Sequence, residues 1–594
     1  MAGWVLVVAA VLCLLVGTAM ALLLGPDNLA RSDPQDLSTE ASVAVTAPGA
    51  LALSGPTVRI EASLPDERPV FVGLGNAVDV TDYTDGVQAL VIDTIDVPLD
   101  LTGEEVEGEP ALSADPYDLE WWLASDQTDG EAAMSAELPT APAQLLIAAA
   151  DGGSLEGLEV TAAYELDGGF GIGLGLIGLS VGLVLFGWLT LRRRPDLDDW
   201  DHWDDEPHDE PVDGDDSGGG DEERTDDDRR WIKAKDGSDG EDDKDLKDGE
   251  DEQPGEDEKE PPTRPVVAPR SGRLRTALSL GVALSLVGVT SGCSVPRPVG
   301  DDPVKTAVTR SEADEVLARW AEQRAQSLQV LDAAPLESVE AGDTLAVDRG
   351  ALLVARRLLE QGSQDVTQQL ELRTVIAPRL SSYPLWFMAV VDDGQRGLTK
   401  VQVHQRDTAA GPWQLVATAE VLPTTQLPEL SLDDSSALQP VQPDDASGLA
   451  GSPQDVADAY GALLDDPDAQ EDDLVLVDSF VQQMRAVADT QAGLDRVQFS
   501  QSWEAEDVKW AARTADGGAL VFATMERSDS YRIDPDTAVD WQPGSEQAAF
   551  LAGRVYTSAV LHYRHQVLLY VPPAGGGQVR ALGQYGGVVS ATGS

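Results

Sequence analysis

Hydrophobic residues along this chain form three long runs separated by regions of short-period alternation. The first run, residues 4–24, and the second, 169–191, are each free of charge and long enough to span a hydrocarbon core of roughly 30 Å as a helix. The first reads as a transmembrane helix or signal anchor, because only the terminal amine precedes it as a cation. The second ends in Arg192, Arg193 and Arg194, a flank that belongs on the cytoplasmic side. A third segment, 274–292, whose apolar stretch starts at about Thr276, is preceded by Arg270, Arg273 and Arg275, which mark the same side. One orientation satisfies all three runs: residues 26–168 and 293–594 extracytoplasmic, 192–270 cytoplasmic, in a multi-pass protein of the cell membrane.

Small residues run along one face of each of the first two helices. Gly171, Gly175, Gly178 and Gly182 recur at steps of four, three and four, and Ala10, Cys13, Gly17 and Ala21 form a matching stripe. Such faces allow close helix–helix association, within or between chains. The second helix also spells GxGxxG (Gly173, Gly175, Gly178) and GxSxG (Gly178, Ser180, Gly182), but those motifs need a strand before a soluble helix or a sheet to act, and these residues would lie in lipid.

Between the first two runs, residues 26–168 carry short alternating stretches at 57–62, 70–73 and 158–164, punctuated by Pro, Gly and Asp. This predicts a β-sandwich-like ectodomain. In the C-terminal region, Thr309 and Glu312 make a capping box before Val316, Leu317, Trp320, Arg324 and Leu328. Strands are predicted at 385–391, 399–405 and 413–419. The order then recurs: Ser452 caps a helix with Pro453 in its first turn, a second helix lies near 480–487, and strands fall at 497–503, 508–513, 519–527 and 555–571. Two tandem α+β units are expected, 306–425 and 452–590, each with helices on a curved antiparallel sheet.

Composition sharpens this. With 40 Lys and Arg against 105 Asp and Glu, a formal charge of −65, the chain repels nucleic-acid phosphates, so nucleic acid is not an expected partner. The negative excess is partly local to 192–270, where few apolar residues are available to offset chain entropy, and a disordered acidic linker is expected there. Cys13 and Cys293 sit in or at the end of apolar runs, and His202, His208, His404, His562 and His565 have no metal-ligand spacing. No metal, cofactor or catalytic residues are expected. His562 and His565, three apart on one strand, would point to opposite faces, and His404 reads as a lone surface histidine.

Several stretches resemble known families. RSGRLRTALSLGVALSLVGVTSGCS, residues 270–294, is similar to a bacterial lipoprotein signal, in which the cysteine, here Cys293, becomes the lipidated first residue; Thr290 departs from the usual large aliphatic residue. Uncut, the segment is a third membrane helix. RPVFVGLGNAVDVTDY (68–83), with Trp121, Trp122 and LLIAAADGG (145–153), resembles an uncharacterised actinobacterial membrane-protein family whose β-rich domain sits between two membrane helices. YGALLDDP (460–467), DGGALVFATMERSD (516–529) and YVPP (570–573) resemble an actinobacterial lipoprotein domain of unknown function, and the helix-then-strand order is similar to nuclear-transport-factor-like or cystatin-like cones. Phe71, Trp121 and Trp122 read as core packing of the sandwich.

The combined expectation is a multi-domain membrane protein of the cell envelope with extracytoplasmic interaction or ligand-binding domains, in contact with membrane lipid and other envelope proteins. The rivals are an extracytoplasmic enzyme using a cone-shaped pocket and a structural envelope scaffold. A polar, part-buried carboxylate or histidine cluster in a pocket would separate them.

Overall fold

The computed structural model describes residues 2–192, 295–296 and 303–594, apart from 52, 56, 97–99, 166–167, 358–369, 395–396, 422–423, 467, 470–473, 543 and 552–553. The acidic linker, the third apolar run and Cys293 lie outside the described residues. Two helices, α1 (Ala2–Leu24) and α3 (Gly169–Arg192), are long and apolar enough to cross a membrane, with mean hydropathies of 2.8 and 2.2 over their 21-residue spans. They run antiparallel and touch where neither has a side chain. A Cβ on Gly17 would lie 2.7 Å from the Gly173 carbonyl oxygen, and one on Gly173 would lie 3.1 Å from the Ala21 amide nitrogen.

Between these helices lie α2 (Ala77–Thr84) and twelve strands: β1 (Leu29–Arg31), β2 (Gln35–Asp36), β3 (Val43–Thr46), β4 (Leu53–Ser54), β5 (Thr57–Ser63), β6 (Pro69–Asn76), β7 (Ala89–Asp96), β8 (Asp100–Val106), β9 (Ala124–Asp129), β10 (Glu131–Glu137), β11 (Ala143–Ala149) and β12 (Glu159–Glu165). One sheet runs β1-β12-β5-β10, with β2 also on β12; the other runs β8-β7-β3-β11-β6-β9. Their facing sides share a core that includes Val58, Ile60 and Ala62 from β5 and Val72, Leu74 and Ile147 from the other sheet. The β-rich expectation is met as a two-sheet sandwich, in which β3 and β7 pair in parallel. In β5, burial alternates strictly, as its period-two sequence dictates. In β11 every residue is buried, because α2 and an aromatic cluster cover its second face.

The C-terminal region begins with the short strands β13 (Val295–Pro296), which pairs with β4, and β14 (Lys305–Thr306). Helices α4 (Arg310–Val330) and α5 (Gly342–Arg357) precede β15 (Leu370–Ile376), β16 (Arg379–Leu380), β17 (Leu385–Asp393), β18 (Leu398–Arg406) and β19 (Gln414–Val421). Helices α6 (Pro453–Asp465) and α7 (Ser479–Ala492) precede β20 (Val497–Ala505), β21 (Trp510–Arg513) and β22 (Ala519–Ile533); the short α8 (Glu546–Phe550), β23 (Ser558–Val571) and β24 (Arg580–Gly593) follow. Local signals act as read from sequence. Thr309 and Glu312 close a capping box on α4, and the Ser452 hydroxyl accepts the Asp455 amide at the start of α6.

The two halves do not close into separate sheets. Their strands form one nine-stranded antiparallel sheet, β15-β17-β18-β19-β24-β23-β22-β20, with β21 also on β22. The seam is short, Glu420 opposite Gln584 and Val421 opposite Gly583, and a Cβ on Gly583 would sit 2.6 Å from the Glu420 carbonyl oxygen. Away from the helices, Trp386, Met388 and Val403 of the first half share a cluster with Trp510, Phe522 and Leu568 of the second. The strands are therefore buried on both faces, and His404, expected at the surface, is fully buried and stacked on Phe387 at 5.1 Å.

Candidate functional site

The chemistry-bearing residues of the first half gather where α4 and α5 cross the seam strands β19 and β24. A cavity of about 450 Å³ opens there, walled by Leu328 and Leu352 and floored by Arg324, Ser327, Asp348 and Tyr585. Each comes from a different constraint. The buried stripe of α4 continues from Trp320 to Arg324 and Ser327, one turn apart. Helix α5 lies so close to β24 at Gly350 that a methyl group there would overlap the Val588 carbonyl oxygen, and this approach brings Asp348 to Tyr585.

Arg324 is the hub. Its guanidinium makes a bidentate pair with Asp348, reaches Glu340 Oε1 at 3.3 Å and lies 5.5 Å from the centre of the Trp320 ring. The Tyr585 hydroxyl donates to Asp348 Oδ1 at 2.5 Å, and the Trp320 indole N–H donates to Glu340 Oε1 at 2.8 Å. Two carboxyls around one guanidinium cannot both ionise cheaply in a dry site. Burial and the Asp348 charge push Glu340 up to about 8, against the opposing pull of Arg324 and Trp320. Asp348 is lowered instead: burial opposes its charge, but Arg324 outweighs burial. At neutral pH the cluster is thus an Arg–Asp ion pair with a protonated Glu340 behind it. The Ser327 hydroxyl and Arg324 Nε remain buried without a hydrogen-bond partner, and both residues border the cavity.

The second half has its own buried ion pair, on β22. Arg527 Nε donates to Asp529 Oδ1 at 2.9 Å, and the guanidinium lies 4.1 Å from the centre of the Tyr563 ring. His565 is buried beside it and pushed down to about 3 by burial and by the Arg527 charge, whereas His562, on the same strand, is half-exposed and 3.7 Å from Glu526. The strand thus separates the two histidines. Burial pushes His404 down to about 3 as well. Phe71 is fully buried against Trp122, but Trp121 is spent elsewhere: its indole N–H donates to the Ala409 carbonyl at 2.9 Å.

Gly171, Gly175, Gly178 and Gly182 face open space in this structure, and Gly173 makes the approach to α1. Sequence reading had not brought Arg324, Glu340, Asp348 and Tyr585 together. The one available signal was an arginine placed on the apolar stripe of an amphipathic helix. Among the described residues no group of three or more His, Cys, Asp or Glu is placed to hold a metal.

Residues 304–593 match the family model of a domain of unknown function, DUF8094. The match spans both α+β halves and their common sheet. No curated protein and no solved structure matches the chain.

Proposed function

We propose that this chain is a multi-pass protein of the cell envelope whose extracytoplasmic C-terminal domain binds a small amphipathic ligand in the Arg324 cavity. The observation that carries the reading is the cavity itself: apolar leucine walls over a floor formed by the Arg324–Asp348 ion pair and the Tyr585 phenol. Ligand sites combine apolar walls with a few fixed polar groups in this way, in volumes of roughly 300–1,000 Å³.

The paired helices α1 and α3 support membrane anchoring, with lipid as their surroundings and other envelope proteins as neighbours; the formal charge of −65 weighs against nucleic acid as a partner. The contact of Lys305 with Asp79 (2.7 Å) supports putting the two folded regions on one side of the membrane, with 192–270 on the other. Residues 274–292 then cross as a third helix or act as a lipoprotein-type signal ahead of Cys293. An actinobacterial source and a cone-like relation of each half to nuclear-transport-factor-like or cystatin-like folds belong to the same reading.

The enzyme reading draws on the proton held by Glu340. That group is fully buried and does not border the cavity, while Asp348 is already neutralised by Arg324, so neither is free to act as a base. A purely structural scaffold has no use for a polar-floored cavity. Native mass spectrometry of the full chain released from nanodiscs tests the proposal. A bound small molecule should accompany the wild type and be missing from Leu352→Trp, which fills the cavity. Equal spectra for the two proteins would sink it.

A further inference from the structure

The sandwich and the C-terminal domain meet through polar groups whose partners lie across the boundary. Asp79, on α2, is 1% exposed, and its carboxylate accepts two hydrogen bonds from Lys305 Nζ (2.9 and 2.7 Å) and one from the Tyr383 hydroxyl (2.7 Å). One turn along, Asp82 Oδ2 accepts the Ala409 amide at 2.7 Å, while Trp121 donates to the Ala409 carbonyl. Ala409 is fully buried, with both backbone polar groups bonded to side chains of the other domain. Its loop is held in shape from its own side, since Arg406 Nη2 donates to Ala409 O at 2.6 Å and Nε to Gly411 O at 2.8 Å.

Apolar contacts surround these bonds. Val78 packs into the cluster formed by Ala307, Leu385 and Phe387, and Ala409 joins the cluster of Phe71, Tyr83 and Leu146. An apolar centre with charge-assisted bonds and a weak, exposed rim pair, Arg319 with Glu120 at 3.6 Å, is the anatomy of an interface between partners. Charge is matched as well. In a chain with 40 basic and 105 acidic residues, the surface facing Asp79 and Asp82 carries Lys305 and Arg406.

We propose that residues 26–165 are a receptor for residues 303–594, and that the two remain associated as a non-covalent complex when the segment between them is severed. Asp79 is the recognition group. Undocked, its carboxylate would be hydrated; docked, it is dry, and among the described residues its hydrogen-bond partners, Lys305 and Tyr383, come from the other domain. The connecting segment then supplies only a high effective concentration, not the contact. Cutting the chain before Cys293 would leave two products that still act together, with β13 on β4 pinning the new end to the sandwich. This inference stands independently of the cavity reading.

The test uses the full chain in nanodiscs, tagged at the N-terminus, with a protease site inserted near residue 300, beyond the third apolar run, so that the C-terminal fragment carries no segment that could hold it in the disc. After cleavage and washing, the C-terminal fragment should stay on the affinity resin. Asp79→Ala strands Lys305 and should weaken retention by about a hundredfold or more. Ala409→Arg and Trp121→Ala, on opposite sides of the interface, should release the fragment, with its melting midpoint reporting that it is still folded. A wild-type fragment that washes off folded, as readily as the Ala409→Arg fragment, overturns the proposal.

Discussion

Glu340 holds a proton that the unfolded chain gives up. Its carboxyl rises from an ordinary value near 4.5 to about 8, so between those pH values the folded state binds more protons than the unfolded state. Stability from this group therefore falls as pH rises from about 5 to 8. Glu340→Gln, which keeps the bond from Trp320 without the titration, should flatten the melting midpoint across that window and match or exceed wild type at pH 8. Glu340→Ala should instead lose about 3 kcal/mol, because the Trp320 N–H and Arg324 lose a buried partner. His404 acts in the opposite direction. It falls to about 3 when buried, so its contribution is lost as pH drops below its unfolded value of 6.5. His404→Phe should move the acid limb of the stability curve to lower pH. Only Arg324, an arginine on an apolar helical stripe, was a local hint; Glu340 and Asp348 look like solvated charges, and only their burial around one guanidinium gives them a role.

Glycines decide how the elements approach one another, and they also explain what the sequence concealed. Strand β24, RALGQYGGVVSATG, carries Gly583, Gly586 and Gly587 and is not among the strands predicted from the alternation, yet it occupies the middle of the sheet. Gly583 and Gly586 admit close backbone neighbours that a side chain would push away. Helix α5 was equally hidden, since Thr344, Asp348 and Gly350 interrupt its apolar stripe. Gly350→Ala should separate α5 from β24, pull Asp348 away from Tyr585 and lower the melting midpoint by several degrees. In the membrane pair, Gly173→Leu should destabilise the chain in detergent, whereas Gly175→Leu and Gly178→Leu, which face open space, should leave melting unchanged. A change in oligomeric mass for the latter two would mean that their face is used between chains. The capped helices α4 and α6 and the alternating strand β5 were legible because their signals lie within a turn or a pleat.

For the whole molecule, the proposed topology makes an accessibility prediction. In a variant lacking Cys13 and Cys293, Ser435→Cys on the C-terminal domain should react with a membrane-impermeant maleimide on intact cells. Ser217→Cys, in the acidic segment, should react only after permeabilisation. The reverse pattern, or equal labelling, would remove the extracytoplasmic assignment and with it the reading of the cavity as an outward-facing site.

The sequence by itself determined the parts: two apolar helices, a β-rich region between them, and two successive helix-then-strand units. Hydropathy runs, capping boxes and period-two alternation are local and survive without neighbours. The tertiary structure alone decided that both α+β halves share one sheet, that α4 and α5 close over a polar-floored cavity, and that Asp79 meets Lys305 across 226 positions of chain. Those outcomes depend on which surfaces are dried against one another. Burial turns scattered charges into an ion pair, a held proton and a docking contact, and no local pattern encodes it.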